Sequence, residues 1–186
     1  KDFVDFINKT QLSDILDLLQ YEISVVIKGR ADGNSEKYKQ IERPALGLPL
    51  KTDEDKMFVL KVFEKYQQSL ERSGLFDTDD ITLSALGQLD TPIWKRRSIR
   101  EGYDACFIDE AHLFNFNELS VFHYLNKPQL KNHIVYVLDK SQNSGEVGFT
   151  ENELSTLDDV QTVKTKLNTI FRSSPEIVNL AFNILS

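Results

Sequence analysis

The sequence predicts an α/β fold in which helices flank a parallel sheet and a mainly helical subdomain comes first. Through residues 1–90, apolar side chains recur at spacings of three and four, which is typical of amphipathic helices. After residue 100, short apolar runs alternate with helical patterns, as strands of a parallel sheet do. We therefore expect a helical subdomain over 1–95 and a sheet-containing part over 96–186.

The first predicted helix is recognised by one apolar stripe. Its residues are Leu12, Ile15, Leu16, Leu19 and Ile23. These spacings place them on one helix face, and the stripe fades by Gly29. Residues 29–49 contain three glycines and two prolines, so we expect a loop there, with at most a short helix over 35–42.

Two further helices are predicted before residue 90. One starts near Thr52, where the acidic residues 53–55 suit the positive end of the helix dipole, and it stops at Gly74. Its apolar stripe contains Val59, Leu60, Phe63, Tyr66 and Leu70. The other, shorter helix covers about 78–89.

The apolar runs after residue 100 predict strands that are buried on both faces of a parallel sheet. DACFID is the first run, HIVYVLD is the second, and VQTVKTKL is a weaker third candidate. Between the first two, Asn115 and Glu118 suit the start of a capped helix. After the third, Pro175 suits the first turn of a helix capped by Ser173 or Ser174. The buried stripe of that last helix is predicted to contain Ile177, Leu180, Ala181 and Ile184.

The composition is that of a globular protein without a general attraction for polyanions. Hydrophobic residues make up 40% and charged residues 27% of the chain, and the formal net charge is −7. No apolar run approaches the roughly 18 residues that span a bilayer, and no signal peptide is evident, so we expect a cytoplasmic protein without a membrane partner. The single cysteine, Cys106, excludes an internal disulfide and fits a small buried packing residue.

One local cluster is strongly basic. The segment WKRRSIR places Lys95, Arg96, Arg97 and Arg100 around Trp94. Two interpretations are open: a solvated helix face, which we favour because short basic runs are common, or a local patch for nucleic acid.

Polar side chains follow the predicted strands at the edge where open parallel α/β sheets bind ligands. Asp109 and Glu110 follow the first strand, Asp139 and Gln142 follow the second, and Arg172 follows the third. Carboxylates can hold Mg²⁺ through its water shell and orient an attacking water. An amide can sense a terminal phosphate, and a guanidinium can neutralise the charge that develops as a phosphoryl group leaves. Each residue alone fits an ordinary loop, but their recurrence at successive strand ends favours one site.

Three segments also occur in a recognisable order, YDACFIDEAH, VYVLDKSQ and LNTIFRSSPEIVNLA. They resemble the second (Walker B), third and fourth motifs of the UvrD/Rep-like superfamily 1 helicases, which use two RecA-like domains and ATP to move along single-stranded nucleic acid. Upstream, EISVVIKG, EKYQQSL and GLFDTDDI are similar to the helical insertion that precedes the second motif in many members. The resemblance implies a partial RecA-like sheet over 96–186 and a helical insertion over 1–95.

The resemblance also implies a role for each site residue. Asp109 would organise Mg²⁺ through water, and Glu110 would position or activate the attacking water. Gln142 would couple the γ-phosphate to the nucleic-acid side, Arg172 would contact that phosphate, and Asp139 would belong to the same nucleotide site. The implied cofactors are ATP and Mg²⁺. The implied partner is single-stranded or partly duplex DNA, with RNA as the alternative.

The sequence departs from the family pattern at several positions. His112 stands where many relatives have Gln, Leu138 replaces the usual Gly before Asp139, and Phe171 replaces Tyr. The segment NSGEVGF lacks the Tyr and Trp on which relatives stack bases, and Phe149 is the candidate substitute.

The phosphate-binding loop of the family has no counterpart in the sequence. None of the eight glycines is followed by Lys, so the Gly-rich loop ending in Gly-Lys-Ser/Thr is missing. The chain begins at Lys1, and its only methionine is Met57. We therefore expect a fragment of a parent chain that supplies the Walker A segment and the second RecA-like domain. We expect the fragment alone neither to hydrolyse ATP nor to unwind a duplex, whereas the parent does both.

The alternative function is a helicase-derived module that binds nucleic acid or protein without hydrolysing nucleotide. The departures from the pattern favour this module, whereas the intact DEAH and Arg172 oppose it. The spacing of His112, His123 and His133 is unlike the histidine spacing of a helical zinc protease. His123 lies within an apolar helix, so we interpret it as a histidine that packs in the interior. Cys106 lies mid-strand without an evident base, so a cysteine nucleophile is not favoured.

Overall fold

The computed structural model describes residues 2–41, 47–139, 163–167 and 173–185. Over these residues the protein is mixed α/β and mostly helical, with one small parallel sheet of two strands. The predicted α/β class is confirmed at this coarse level. No helix in the described ranges is long and apolar enough to cross a membrane.

Helices make up the N-terminal part of the described chain. They are α1 (Asp2–Lys9), α2 (Leu12–Tyr21), a π-helix (Glu22–Lys28), α3 (Ser35–Gln40), α4 (Asp53–Ser73), α5 (Thr78–Leu89) and α6 (Pro92–Glu101). The predicted helices over 35–42, after Thr52 and over 78–89 are confirmed. Helix α6 extends across residues 95 and 96, where we expected the two parts of the chain to meet.

Strands and helices alternate in the second part. The order is β1 (Cys106–Ile108), a 3₁₀ turn (Ala111–Leu113), α7 (Phe116–Leu125), a second 3₁₀ turn (Pro128–Leu130), β2 (Ile134–Tyr136) and α8 (Pro175–Leu185). The strands pair in parallel, with Ile108 opposite Tyr136. Helix α7 begins with the predicted capping box, in which the Asn115 side chain accepts from the Glu118 amide and the Glu118 carboxylate accepts from the Asn115 amide.

The helical part has its own core, centred on α4 and the π-helix. Helix α4 begins at a capping box formed by Thr52 and Asp55 and ends at Gly74, whose φ of 63° is left-handed. Val59, Leu60 and Phe63 of its predicted stripe are buried in this core and Tyr66 packs against it, whereas Leu70 is not part of it. The core side chains include Val26, Ile27, Tyr38, Val59, Leu60 and Phe63.

The predicted stripe of the first helix is partly wrong. Leu12 and Leu16 are 71% and 55% exposed, whereas Ile15 and Ile23 are buried. Leu12 and Leu16 lie in the regular α-helix α2, on a side that no described element covers. After Tyr21 the chain continues as a π-helix, whose turns are wider than those of an α-helix. Burial continues beyond Ile23 at Val26 and Ile27, which the predicted stripe did not include.

Only one face of the sheet is buried, so the prediction of strands buried on both faces is wrong for the described residues. Ile108 packs with Leu119 of α7 on the covered face. On the other face Phe107 is 78% exposed and Val135 is 46% exposed. The physical reason is that α7 covers one side, and no described helix covers the other.

The C-terminal predictions have mixed outcomes. Residues 163–167 do not form a strand, and the rest of the VQTVKTKL candidate lies outside the described residues. Helix α8 is present, as predicted, with Pro175 in its first turn. Its predicted buried stripe is wrong where it is described, because Ile177 and Leu180 are 60% and 61% exposed.

Candidate functional site

The turn that follows β1 is held tightly against the end of β2. The Val137 amide donates to the Ile108 carbonyl over 2.8 Å, and the Ala111 amide donates to the Val137 carbonyl over 2.9 Å. Asp109 and Glu110 occupy the two positions between these hydrogen bonds. Both acidic residues are therefore fixed at the carboxyl edge of the sheet, and both are exposed.

Glu110 has a left-handed backbone, with φ of 49° and ψ of 39°. A side chain at such a position costs roughly 1–2 kcal/mol relative to the right-handed conformation. The turn compensates with two local hydrogen bonds: the Glu110 amide donates to Asp109 Oδ1, and the Leu113 amide donates to the Glu110 carbonyl, each over 2.9 Å. Strained non-glycine residues of this kind cluster at functional sites.

His112 lies beside the Glu110 carboxylate. Its Nε2 is 3.4 Å from Glu110 Oε2, and the imidazole is 7% exposed while the carboxylate is 48% exposed. The other ring nitrogen, Nδ1, is buried and has no hydrogen-bond partner among the described residues. The buried imidazole of His112 thus lies directly beside the exposed carboxylate of Glu110. In the sequence, His112 stood out only as a departure from the family pattern. Its contact with Glu110, two residues earlier, arises because the chain makes a tight turn there.

Of the other three predicted site residues, the structure describes only Asp139. Asp139 follows Tyr136 by three residues, so the parallel register puts it at the same edge of the sheet as Asp109. Gln142 and Arg172 lie outside the described residues. The edge thus contains three of the five predicted site residues.

The donor set of this edge suits a hydrated Mg²⁺ better than a metal held in a protein cage. In the described part of the chain, no group of three or more His, Cys, Asp or Glu side chains could hold a metal ion. Mg²⁺ at nucleotide sites keeps several waters and uses one or two carboxylates together with substrate phosphates. The exposed pair of Asp109 and Glu110 fits that mode of binding.

A polar cavity of about 220 Å³ adjoins the turn, between α5 and the start of α7. Asp79, His112, Asn115 and Glu118 are among its lining residues. The Asn115 side-chain amide donates to Asp79 Oδ1 over 2.9 Å, which links the helical part to the sheet-bearing part. Sequence reasoning missed Asp79, because three acids in the run DTDD look alike and only the fold buries this one.

Burial raises the pKa values of two acids that line the cavity, Asp79 and Glu118. Desolvation raises the pKa of Asp79, and the neighbouring charge of Asp77 adds to the rise, while hydrogen bonds from Ser24 and Asn115 oppose it. Desolvation also raises the pKa of Glu118, and the charge of Asp79 adds to that shift. The cavity therefore disfavours two ionised carboxylates.

Cys106 and His123 have structural contacts. The Cys106 thiol donates to Asn126 Oδ1 over 2.9 Å, and burial raises its pKa, which lowers its reactivity as a thiolate. His123 Nε2 lies 2.5 Å from the Tyr136 hydroxyl, across the interface between α7 and β2. The interpretation of His123 as a packed histidine is confirmed.

Comparison with known proteins gives no match: no protein-family model, curated protein or solved structure is similar to the chain at a significant level. The resemblance to UvrD/Rep-like helicases therefore rests on the motifs quoted above.

Proposed function

We propose that the chain is part of the first RecA-like motor domain of an ATP-dependent DNA helicase, which couples ATP hydrolysis to movement along single-stranded DNA. The observation that supports this most is the turn after β1. It presents two adjacent carboxylates at the carboxyl edge of a parallel sheet, and the second is in a left-handed conformation. Nucleotides bind at this edge in open α/β sheets.

The two acids have different surroundings, and these suit different roles. Asp109 accepts a hydrogen bond from the amide of the turn, so its carboxylate is oriented by the backbone and suits water-mediated contact with Mg²⁺. Glu110 is half exposed beside a buried imidazole, which suits a base that orients an attacking water. Bound Mg²⁺ would neutralise charge on the phosphates. In the proposal Asp139, Gln142 and Arg172 complete the nucleotide site.

The activity is proposed for a longer protein that contains this chain. No glycine of the sequence precedes a lysine, so a phosphate-binding loop has to come from another segment. We expect no ATP turnover by the 186 residues alone, because their sequence lacks the Gly-Lys-Ser/Thr loop that would cradle the phosphates. Turnover by this chain that Glu110→Gln abolishes would refute that expectation.

The direct test measures ATP hydrolysis by the longer protein with and without single-stranded DNA. We expect DNA-stimulated turnover that Asp109→Asn and Glu110→Gln each reduce by at least about a hundredfold. Glu64→Gln, which makes the same chemical change at an exposed site on α4, is the matched control and should retain full activity. Absence of turnover in a protein that binds DNA would favour the non-hydrolysing module instead.

A further inference from the structure

We propose that the exposed face of α6 binds the phosphate backbone of single-stranded DNA through Arg96 and Arg100. The inference rests on the proposed function and names the surface with which the protein would contact DNA. Both arginines are exposed and lie four residues apart, so they project from the same face of the helix.

Helix α6 differs in charge from the rest of the chain. Its ten residues include four basic and one acidic side chain, a net charge of 4 − 1 = +3, in a chain of net charge −7. Helix α4 is twice as long and has five acidic and four basic side chains, a net charge of 4 − 5 = −1. Positive charge is thus concentrated on one helix, where a polyanion can be attracted locally although the whole chain repels it.

The acids near α6 are already paired with the other two cations. Lys95 Nζ lies 2.9 Å from Asp90 Oδ1, and Arg97 forms two hydrogen bonds to Glu101 Oε2, the shorter of 2.7 Å. These exposed pairs neutralise Asp90 and Glu101. The charge that remains on the helix is that of the other two arginines.

Neither Arg96 nor Arg100 has a hydrogen bond or salt bridge to any described residue. Arg100 acts on Glu101 only as a nearby charge, a minor contribution to the lowered pKa that the Arg97 hydrogen bond mainly causes. A guanidinium is planar and donates two parallel hydrogen bonds to phosphate oxygens. Two such groups on one face suit two phosphates of one strand, and contacts of this kind do not discriminate base sequence.

Helix α6 is held against the sheet-bearing part by specific contacts. Thr91 caps its start, where Oγ1 accepts from the Trp94 amide over 3.3 Å. The Trp94 indole donates to the Tyr124 carbonyl of α7 over 2.6 Å. At its end, a side chain at Gly102 would meet the Ser98 carbonyl at 2.5 Å, which shows how closely the chain turns there. These contacts place the backbone of α6, and with it the Cα atoms of the two arginines, beside α7.

The test measures binding of the 186-residue chain to fluorescent oligonucleotides by anisotropy, at several salt concentrations and without nucleotide. The probes are oligo-dT and a mixed-sequence strand of equal length. The test variant is Arg96→Gln with Arg100→Gln. The matched control is Lys61→Gln with Lys65→Gln, which removes the same charge from two exposed positions four apart on α4. Far-UV circular dichroism checks that both variants are folded.

We expect the arginine variant to bind both strands more weakly. The slope of log K against log salt, which is negative, should become smaller in magnitude by about 1.4, because each phosphate that an arginine neutralises contributes about 0.7 to that magnitude. The lysine variant should keep the slope of the unmodified chain. Equal slopes for the two variants would overturn the inference. Displacement of DNA by polyglutamate at the same charge concentration would also overturn it, because the surface would then bind any polyanion.

The outcome is separable from that of the proposed function. If the arginine variant loses binding while the longer protein shows no hydrolysis that depends on Glu110, the DNA contact stands and the motor is refuted. If binding is unchanged while hydrolysis depends on Glu110, the motor stands and the assignment of α6 is refuted.

Discussion

The Asn115 side chain donates a hydrogen bond to the buried carboxylate of Asp79 over 2.9 Å, and so joins α7 to α5. The same side chain caps α7 by accepting from the Glu118 amide. One residue thus stabilises a helix start and the contact between two parts of the chain. Its replacement should affect both.

Asn115→Ala should lower the free energy of unfolding by about 2 kcal/mol, because it removes the cap and leaves the Asp79 carboxylate short of a donor. Asn115→Ser keeps a capping oxygen and loses only the amide donor, so it should cost about half as much. Urea denaturation followed by circular dichroism measures both. Equal losses would mean that the capping hydrogen bond contributes nothing, and a serine variant as stable as the unmodified chain would mean that the contact with Asp79 contributes nothing.

The buried Lys28 ammonium should be essential to the helical part. It lies 2.6 Å from Asp77 Oδ2 and 2.7 Å from Asp80 Oδ1, and its side chain is only 1% exposed. Lys28→Met should cost about 3 kcal/mol, because two partly buried carboxylates lose their shared cation. Lys51→Met, which breaks the exposed pair with Asp2, is the control and should change stability little. A small loss for both variants would contradict the expectation.

The stability of the chain should depend on pH through Asp79. Burial raises its pKa above the ordinary value of 3.8, so the folded state binds a proton more readily than the unfolded state. For an acid shifted in this direction, stability is gained as pH falls through the raised pKa and is complete below 3.8. Asp79→Asn removes the titrating group but keeps an acceptor for Asn115.

The measurement for Asp79 is urea denaturation of both chains at a series of pH values from about pH 7 down to about pH 4. The unmodified chain should gain stability relative to Asp79→Asn as the pH falls. Glu118 lines the same cavity and is present in both chains, and the charge of Asp79 contributes to its raised pKa, so the difference between the chains reports Asp79 together with its effect on Glu118. A difference that does not change with pH would show that Asp79 is not shifted.

The left-handed backbone of Glu110 should be measurable as strain. Glycine adopts this conformation without the steric cost that any side chain meets, so Glu110→Gly should be about 1 kcal/mol more stable than Glu110→Ala. Chemical denaturation of the two variants gives the difference directly. An alanine variant as stable as the glycine variant would show that the turn relaxes to an unstrained conformation.

Local signals in the sequence predicted the helices well. Thr52 and Gly74 bound α4 because a capping side chain and a left-handed glycine act on their immediate neighbours. The capping box of Asn115 and Glu118 is local in the same way. Such features depend on a few adjacent residues, so they can be recognised without knowing the rest of the fold.

Features that depend on distant packing were predicted poorly. The apolar pattern of β1 could not show that Phe107 is left uncovered, because that depends on which element packs against it. The exposure of Leu12 and Leu16 depends in the same way on which elements pack against α2. At the site, Asp109 and Glu110 followed from the strand pattern, whereas the burial of His112 and Asp79 arises only from the meeting of separate helices.

In the proposed function Glu110 orients the water that attacks ATP, and single-turnover hydrolysis by the longer protein measures that step alone. Glu110→Gln preserves the size of the side chain, so ATP and Mg²⁺ should still bind with nearly unchanged affinity. The rate at which bound ATP is hydrolysed should fall by about 10²- to 10⁴-fold, because the base is lost. Hydrolysis of bound ATP within about twofold of the unmodified rate would contradict the claim.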